Sequence, residues 1–247
     1  MEFENYVVIV TGAASGIGYL TAEQFALQGA TVAMFGQHMD KLENAAEKIH
    51  IQGGNAYPYE VDVRNFDVVD QAVKDVIARF GRIDVTVSCA GGASSRIFGR
   101  TEAFRDMPVE VLDWGIDVNL KGQLYIARAA IGQMIDQKSG VIINIGSITG
   151  QTGSNCIDYS TAKSGVMNGL TKSLALYGAP YGVRCCCVSP GPVLTRPEMA
   201  NMKTPLARAA EPKEIVDLIM YLASDKAAFI TGTNYLIDGG RACGGKD

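Results

Sequence analysis

Short runs of β-branched and other apolar residues alternate with amphipathic stretches from end to end of the chain. The apolar runs are Tyr6–Val10, Thr31–Phe35, Ala56–Val61, Val85–Ser88, Val141–Ile145, Val183–Val188 and Asn234–Ile237. Between them, apolar residues at helical spacing predict helices near Ile17–Gln28, Lys41–Ile51, Val68–Phe80, Val109–Ile135, Ile157–Tyr177 and Lys213–Leu222. Strands that are apolar on both faces and separated by helices predict a parallel sheet covered on both sides. Right-handed crossovers then make this an α/β, doubly wound parallel sheet of about seven strands with helices on both faces. No Pro/Ser/Gly-rich linker, charge run or repeat divides the chain, so residues 1–247 read as a single domain. The stretch Gly91–Pro108 follows neither period and is rich in Gly, Ser and Arg. An irregular segment of that length inside a compact domain is usually functional or mobile.

Composition narrows the class without naming it. The 247 residues carry 22 Lys+Arg against 26 Asp+Glu, a formal charge of −4, and 47% are hydrophobic. That apolar share excludes a disordered chain, and the slight acidity argues against nucleic acid or an anionic membrane as partner. No apolar run approaches the roughly 18 to 20 residues of a membrane span, and the polar start MEFEN is not a secretory signal. The expectation is a soluble, cytoplasmic protein. Its six cysteines then read as reduced. Cys185, Cys186 and Cys187 would alternate faces of a strand as small buried hydrophobes, and they lack zinc-site spacing. His38 and His50 do not form a ligand pair, so no metal is expected.

The first apolar run leads into Thr11-Gly12-Ala13-Ala14-Ser15-Gly16-Ile17-Gly18 and then a helix. Gly12 allows a tight turn, Gly16 lets backbone approach a pyrophosphate, and Gly18 lets the helix lie close to the strand. The helix start offers free N–H groups to the phosphates. Placed after the first strand of a βαβ unit, this turn is the mark of a Rossmann-type dinucleotide site. The second strand ends Phe35-Gly36-Gln37-His38, with neither the acid that reads a ribose 2′-hydroxyl nor a base for a 2′-phosphate. Gln37 could bond a ribose hydroxyl, while a phosphate would meet no fixed cation except Lys41. This favours NAD, with NADP as the alternative.

Toward the middle of the chain, the run Val141–Ile145 leads into Gly146-Ser147, and Tyr159-Ser160-Thr161-Ala162-Lys163 follows. In a helix, Tyr159 and Lys163 share a face. Serine, phenol, ammonium and glycine turn all fall at one edge of the sheet, the edge where doubly wound folds bind ligands.

These residues resemble the short-chain dehydrogenase/reductase family over essentially the whole chain, and are similar to its 3-oxoacyl-carrier-protein reductase-like members. The likeness runs through Thr11–Gly18, Asp62, Asn119, Ser147, Tyr159, Lys163, Pro190-Gly191 followed by Thr195, and Thr231-Gly232 with Asp238-Gly239-Gly240, all in the family's order. It implies an NAD(P)-dependent oxidoreductase that interconverts a secondary alcohol and a ketone. Asn119, Ser147, Tyr159 and Lys163 would be catalytic. Tyr159 would be the general acid/base, its phenol lowered by Lys163 and by the oxidised nicotinamide, and Ser147 would bond the substrate oxygen. The backbone at Asn119 would hold a water linking Lys163 to solvent. The implied cofactor set is Gly12, Ser15, Gly16, Ile17, Gly18, Gln37, Asp62 at the adenine, Val63, Ala90, Gly91, Tyr159, Lys163, Pro190, Gly191, Val193, and Thr195 at the carboxamide. The resemblance also implies a homotetramer or homodimer through the two long helices.

Three departures stand out. Ser88-Cys89-Ala90-Gly91 replaces the family's Asn-Asn-Ala-Gly. Gly91–Pro108 is longer than the family pattern by roughly six to eight residues, and Arg196–Ala210 is shorter by about as much. The longer loop is therefore expected to take over part of the lid, with loops 91–108 and 191–211 forming the substrate site. Arg96, Arg100 and Arg105 read first as solvated charges beside Glu102 and Asp106, and second as groups that could meet an anionic substrate. The substrate stays open between a 3-oxoacyl thioester, a sugar or polyol, and a hydroxysteroid. A catalytically silent dinucleotide-binding regulator is the alternative from a different class.

Overall fold

Every residue of β1 (Val7–Thr11) is buried because this strand lies inside a sheet covered on both faces. In the computed structural model, which describes residues 1–202 and 204–244, seven strands pair in parallel in the order β3-β2-β1-β4-β5-β6-β7. Lys203, in the expected 191–211 substrate loop, and residues 245–247 of the expected domain lie outside the described residues. After β1 come α1 (Gly16–Leu27), β2 (Thr31–Gly36), α2 (Met39–Ile51), β3 (Asn55–Glu60), α3 (Phe66–Phe80) and β4 (Val85–Ser88). The long helix α4 covers residues 109–137, followed by β5 (Gly140–Ile145), α5 over residues 157–178, β6 (Val183–Pro190), α6 (Pro212–Ala223) and β7 (Asn234–Ile237).

Period-2 alternation sorts the core. Val8 and Val10 enter one layer with Phe25, Ile49 and Ile219, from α1, α2 and α6. Val7 and Ile9 enter the other with Val73, Ile126 and Ala175, from α3, α4 and α5. Cys185 and Cys186 follow the same rule, one to each layer, and all six cysteines are free thiols. Local chemistry sets the helix starts. Asn65 caps α3 by accepting from the amides of Asp67 (3.0 Å) and Val68 (3.3 Å), and Pro212 opens α6 inside a Glu211/Glu214 capping box. β3 tolerates Pro58 because it is an edge strand.

The differences from the sequence reading have physical causes. β1 and β6 run on to Thr11 and Pro190 because those residues still pair, Thr11 with Phe35 and Ser88, Pro190 with Ile237. Both long helices contain a π-helical turn, Asp117–Lys121 in α4 and Gly165–Leu170 in α5, which a 3.6-residue period does not reveal. The segment 91–108 is not wholly irregular. It holds a helical turn, Ser94–Ile97, and a 3-10 turn, Phe104–Asp106, and Phe98 packs edge-on against Trp114 of α4 at 5.4 Å. No helix among the described residues is long and apolar enough to cross a membrane.

The strand order runs outward from β1 to β3 and then returns to β4 on the other side of β1. This reversal opens a crevice at the carboxyl ends of the central strands. At the opposite end, the Asp84 carboxylate accepts from the Val7 amide at 2.8 Å and from the Arg82 guanidinium at 2.8 and 2.7 Å. Asp84→Ala leaves that amide without its charged acceptor and should cost about 2 kcal/mol of unfolding free energy by urea titration. A loss below about 0.5 kcal/mol would show that the contact is dispensable.

Candidate active site

The glycine turn is built by backbone that has no room for side chains. Gly12 (φ +64°) and Gly16 (φ +57°) adopt left-handed conformations. A Cβ on Gly12 would stand 3.0 Å from the Ala90 backbone, and one on Gly18 would run into the Gly12 carbonyl. The Ala90 amide donates to Thr11 Oγ1 at 2.9 Å, which ties the end of β4 to the end of β1. Ser15 sits at the helix N-cap in an extended conformation, and its side chain does not cap the helix. The amides of Gly16, Ile17 and Gly18 therefore begin α1 with no intrahelical partner. A cradle without Cβ atoms, at the positive end of a twelve-residue helix, fits a dinucleotide pyrophosphate. Thr195 closes over it: a Cβ on Gly16 would lie 3.6 Å from Thr195 Cγ2.

On the adenosine side, Gln37 and His38 are exposed at the end of β2. Asp62 stands at the end of β3, but its carboxylate is engaged by Arg64. Arg64 Nε lies 3.0 Å from both oxygens and Nη2 2.5 Å from Oδ2. The Arg64 side-chain bonds hold the Asp62 carboxyl below its usual range. The Val63 side chain is buried in the core layer of α3 and α4, where a Cβ on Gly122 would meet it.

The chemical end is organised around β5. The Ile145 carbonyl accepts from Lys163 Nζ at 2.7 Å and from Gln123 Nε2 at 3.0 Å, while the Ile145 amide donates to Gln123 Oε1 at 3.1 Å. Gln123 Nε2 also donates to the Asn119 carbonyl at 2.9 Å. The Asn119 side chain then reaches the loop after β4. Its Nδ2 donates to the carbonyls of Gly92 (3.0 Å) and Gly115 (2.9 Å), and its Oδ1 accepts from the Gly92 amide at 3.0 Å. Gly91 runs beside this contact, with no space for a Cβ next to Asn119 Oδ1. Lys163 Nζ stands 5.6 Å from the centroid of the Tyr159 ring. Ser147 Oγ accepts from the amide and hydroxyl of Thr149 at 3.2 and 3.1 Å. Ser147 and Tyr159 open onto one cavity of about 530 Å³, walled by Gly92 and Arg96 on one side and by Gly191, Arg196 and Met199 on the other. Gly191 lies flat against Asp238 beyond β7, while Val193 bridges to Ala210.

The protein's own groups do not by themselves lower the Tyr159 phenol. Burial raises the Tyr159 phenol above its ordinary value, opposed by the Ser147 hydroxyl and, more weakly, by Arg96 and Arg196. Lys163 does not reverse this. It is itself buried, its pKa is lowered to about 8, and its ammonium is directed at the Ile145 carbonyl. At the Cys89 departure, burial pushes the thiol up to about 12, which disfavours the thiolate.

Several contributors were missed from sequence. Thr11 was visible as a hydroxyl ending β1. Gln123 and Gly92 act through contacts spanning 22 and 27 residues, and no local pattern signals them. Arg196 and Arg241 join the cavity from segments distant in sequence.

Comparison with known proteins agrees with this geometry. Residues 12–242 match the family model described as enoyl-(acyl carrier protein) reductase. The chain is 34% identical over 250 residues to the 3-oxoacyl-[acyl-carrier-protein] reductase FabG of Thermotoga maritima, covering 97% of this chain and 99% of that one. It is 34% identical over 251 residues to the L-rhamnose 1-dehydrogenase (NAD(P)(+)) of a Sphingomonas species, covering 96% of each. A short-chain type dehydrogenase/reductase from Mycobacterium marinum has a solved structure that superposes with a TM-score of 0.90 at 34% identity, over 98% of this chain and 97% of that one. With the glycine turn, the parallel seven-stranded sheet and near-complete coverage in agreement, this chain belongs to the short-chain dehydrogenase/reductase family of NAD(P)-dependent oxidoreductases.

Proposed function

We propose that this protein interconverts a secondary alcohol and a ketone, with Tyr159 as general acid/base. One observation carries the reading: Ser147 and Tyr159 open onto a single cavity at the sheet edge that also bears the glycine cradle, with Lys163 buried behind the phenol. A nicotinamide cofactor, when bound, supplies or accepts the hydride. Gly12, Ser15, Gly16, Ile17 and Gly18 would hold its phosphates, Gln37, Asp62 and the Val63 backbone its adenosine. Ala90, Gly91, Pro190, Gly191, Val193 and Thr195 would surround the nicotinamide half. In reduction, the substrate carbon gains hydride and its oxygen takes the Tyr159 proton, while the Ser147 hydroxyl bonds that oxygen as charge develops. Lys163, fixed by the Ile145 carbonyl, restores the proton. The Asn119 backbone, whose carbonyl accepts from Gln123 Nε2, would hold the relay water.

NAD is the favoured cofactor and NADP the alternative, because β2 ends without a fixed cation and Arg64 is already neutralised by Asp62. Loops 91–108 and 191–211 wall the substrate cavity, consistent with a shared lid. Its substrate would be a ketone or alcohol of the kinds set out above, among which the two named relatives span a thioester and a sugar. Leu124, Leu176 and Tyr177 are exposed on α4 and α5, which supports a homodimer or homotetramer through those helices. Six free thiols are in keeping with a cytoplasmic location.

Tyr159→Phe should lower turnover by about 10²-fold or more while leaving NADH binding intact. Full biological function in that variant would favour the catalytically silent regulator. The raised phenol also sets the pH dependence. Below its pKa Tyr159 keeps its proton, so kcat/KM for reduction should be level near neutrality and fall as pH rises, while that for oxidation should climb. Slopes of the opposite sign would remove Tyr159 from the acid/base role. By fluorescence titration NADH should bind more tightly than NADPH, and turnover with NADPH alone would reverse the cofactor assignment.

A further inference from the structure

Segment 91–108 contributes three arginines, and the fold treats them differently. Arg100 Nη2 lies 2.6 Å from Glu102 Oε1, and Arg105 Nε lies 3.2 Å from Asp106 Oδ2, so both are neutralised within the loop. Arg96 makes no ion pair among the described residues. Its guanidinium folds back over Gly92, where a Cβ would come within 2.7 Å of Nη2, and so reaches the cavity that holds Ser147 and Tyr159. Two more guanidinium groups share that cavity, Arg196 from the segment after β6 and Arg241 from the C-terminal turn, and among the described residues no Asp or Glu lines it. The carboxylate nearest Arg196, Glu198, is 3.9 Å away and largely exposed. Burial, and after it the neighbouring Arg196, lower the Arg96 pKa, while Tyr159 and Glu198 oppose the shift without reversing it.

Three like charges around one cleft repel one another unless an anion enters, and a guanidinium fork matches a carboxylate or phosphate through two parallel hydrogen bonds. We infer that the substrate carries an anionic group, a carboxylate or a phosphate, bound by Arg96 together with Arg196 and Arg241 beside the reacting carbon. This rests on the reading that the cavity holds the ketone or alcohol. The cofactor phosphates are a poor match for Arg96, because none of the residues Gly12–Gly18 lines this cavity. Arg196, next to Thr195 and so close to the glycine turn, is the one cation a pyrophosphate would compete for. An uncharged sugar or steroid leaves Arg96 without an ion-pair partner among the described residues, whereas an oxo acid or a phosphorylated hydroxyketone supplies one.

The test is calorimetric titration of the enzyme–NADH complex with paired probes: 2-, 3- and 4-oxo acids against their methyl esters, and dihydroxyacetone phosphate against dihydroxyacetone. At least one anion should bind about tenfold or more tightly than its neutral partner, and the arm that responds separates carboxylate from phosphate. In Arg96→Gln that ratio should fall toward one, with Arg96→Lys in between, and NADH affinity reports that each variant is folded. Equal affinity within every pair, no anion binding at all, or a preference unchanged in Arg96→Gln overturns the inference. Any of these leaves the hydride-transfer reading to the Tyr159→Phe assay. An Arg96-dependent charge preference without hydride transfer to any probe would refute that reading and, with it, the placement of the anion on a substrate.

Discussion

The carbonyl of Ile145, at the open end of β5, takes two buried donors, Lys163 Nζ and Gln123 Nε2. A charged ammonium in a dry interior must be given an acceptor or lose its proton. Here one strand-end carbonyl supplies it, and the position of that carbonyl is fixed by the sheet ladder to β6. The Gln123 amide straddles the same peptide and passes the constraint to Asn119, whose side chain clamps Gly92. The sheet, both long helices and the loop after β4 are thus held in register by one polar chain. The phenol of Tyr159 is placed one helical turn from its Lys163 anchor.

Phosphate-binding and chemical functions share an edge but use different physics. At the glycine turn the fold removes side chains and exposes backbone amides, so affinity for an anion comes from the helix end. At the cavity it does the reverse and brings long cationic side chains from segments distant in sequence. This explains how a chain with a net charge of −4 can hold strongly positive ground locally. Among the described residues no Asp or Glu stands in the cavity wall.

Strands apolar on both faces gave a legible fold, because a parallel sheet leaves little choice of side for Val7, Val8, Ile9 and Val10. The glycine turn was legible for a similar reason, since only glycine accepts the backbone at Gly12 and Gly16. Ser147, Tyr159 and Lys163 were readable as a pattern, but their electrostatics were not. Burial overrides the proximity of Lys163, and burial belongs to the whole fold. Arg96 shows the same limit: beside Glu102 and Asp106 it looks like any solvated loop charge, yet only Arg100 and Arg105 use those partners. The π-helical turns left no trace at all, because the apolar spacing on either side of them remains helical.

Those two turns have a consequence for how the molecule can vary. An α-helix rotates by about 100° per residue, so a wider turn absorbs one residue and changes which faces its two halves present. In α4 the half before Asn119 carries Trp114 against the Phe98 loop, while the half after it carries Ile126 and Met134 into the core. The turn at Asp117–Lys121 lies between the two. Substitutions that re-seat Trp114 against the Phe98 loop act on the half before the turn, while the register of Ile126 and Met134 under the sheet is set by the half after it.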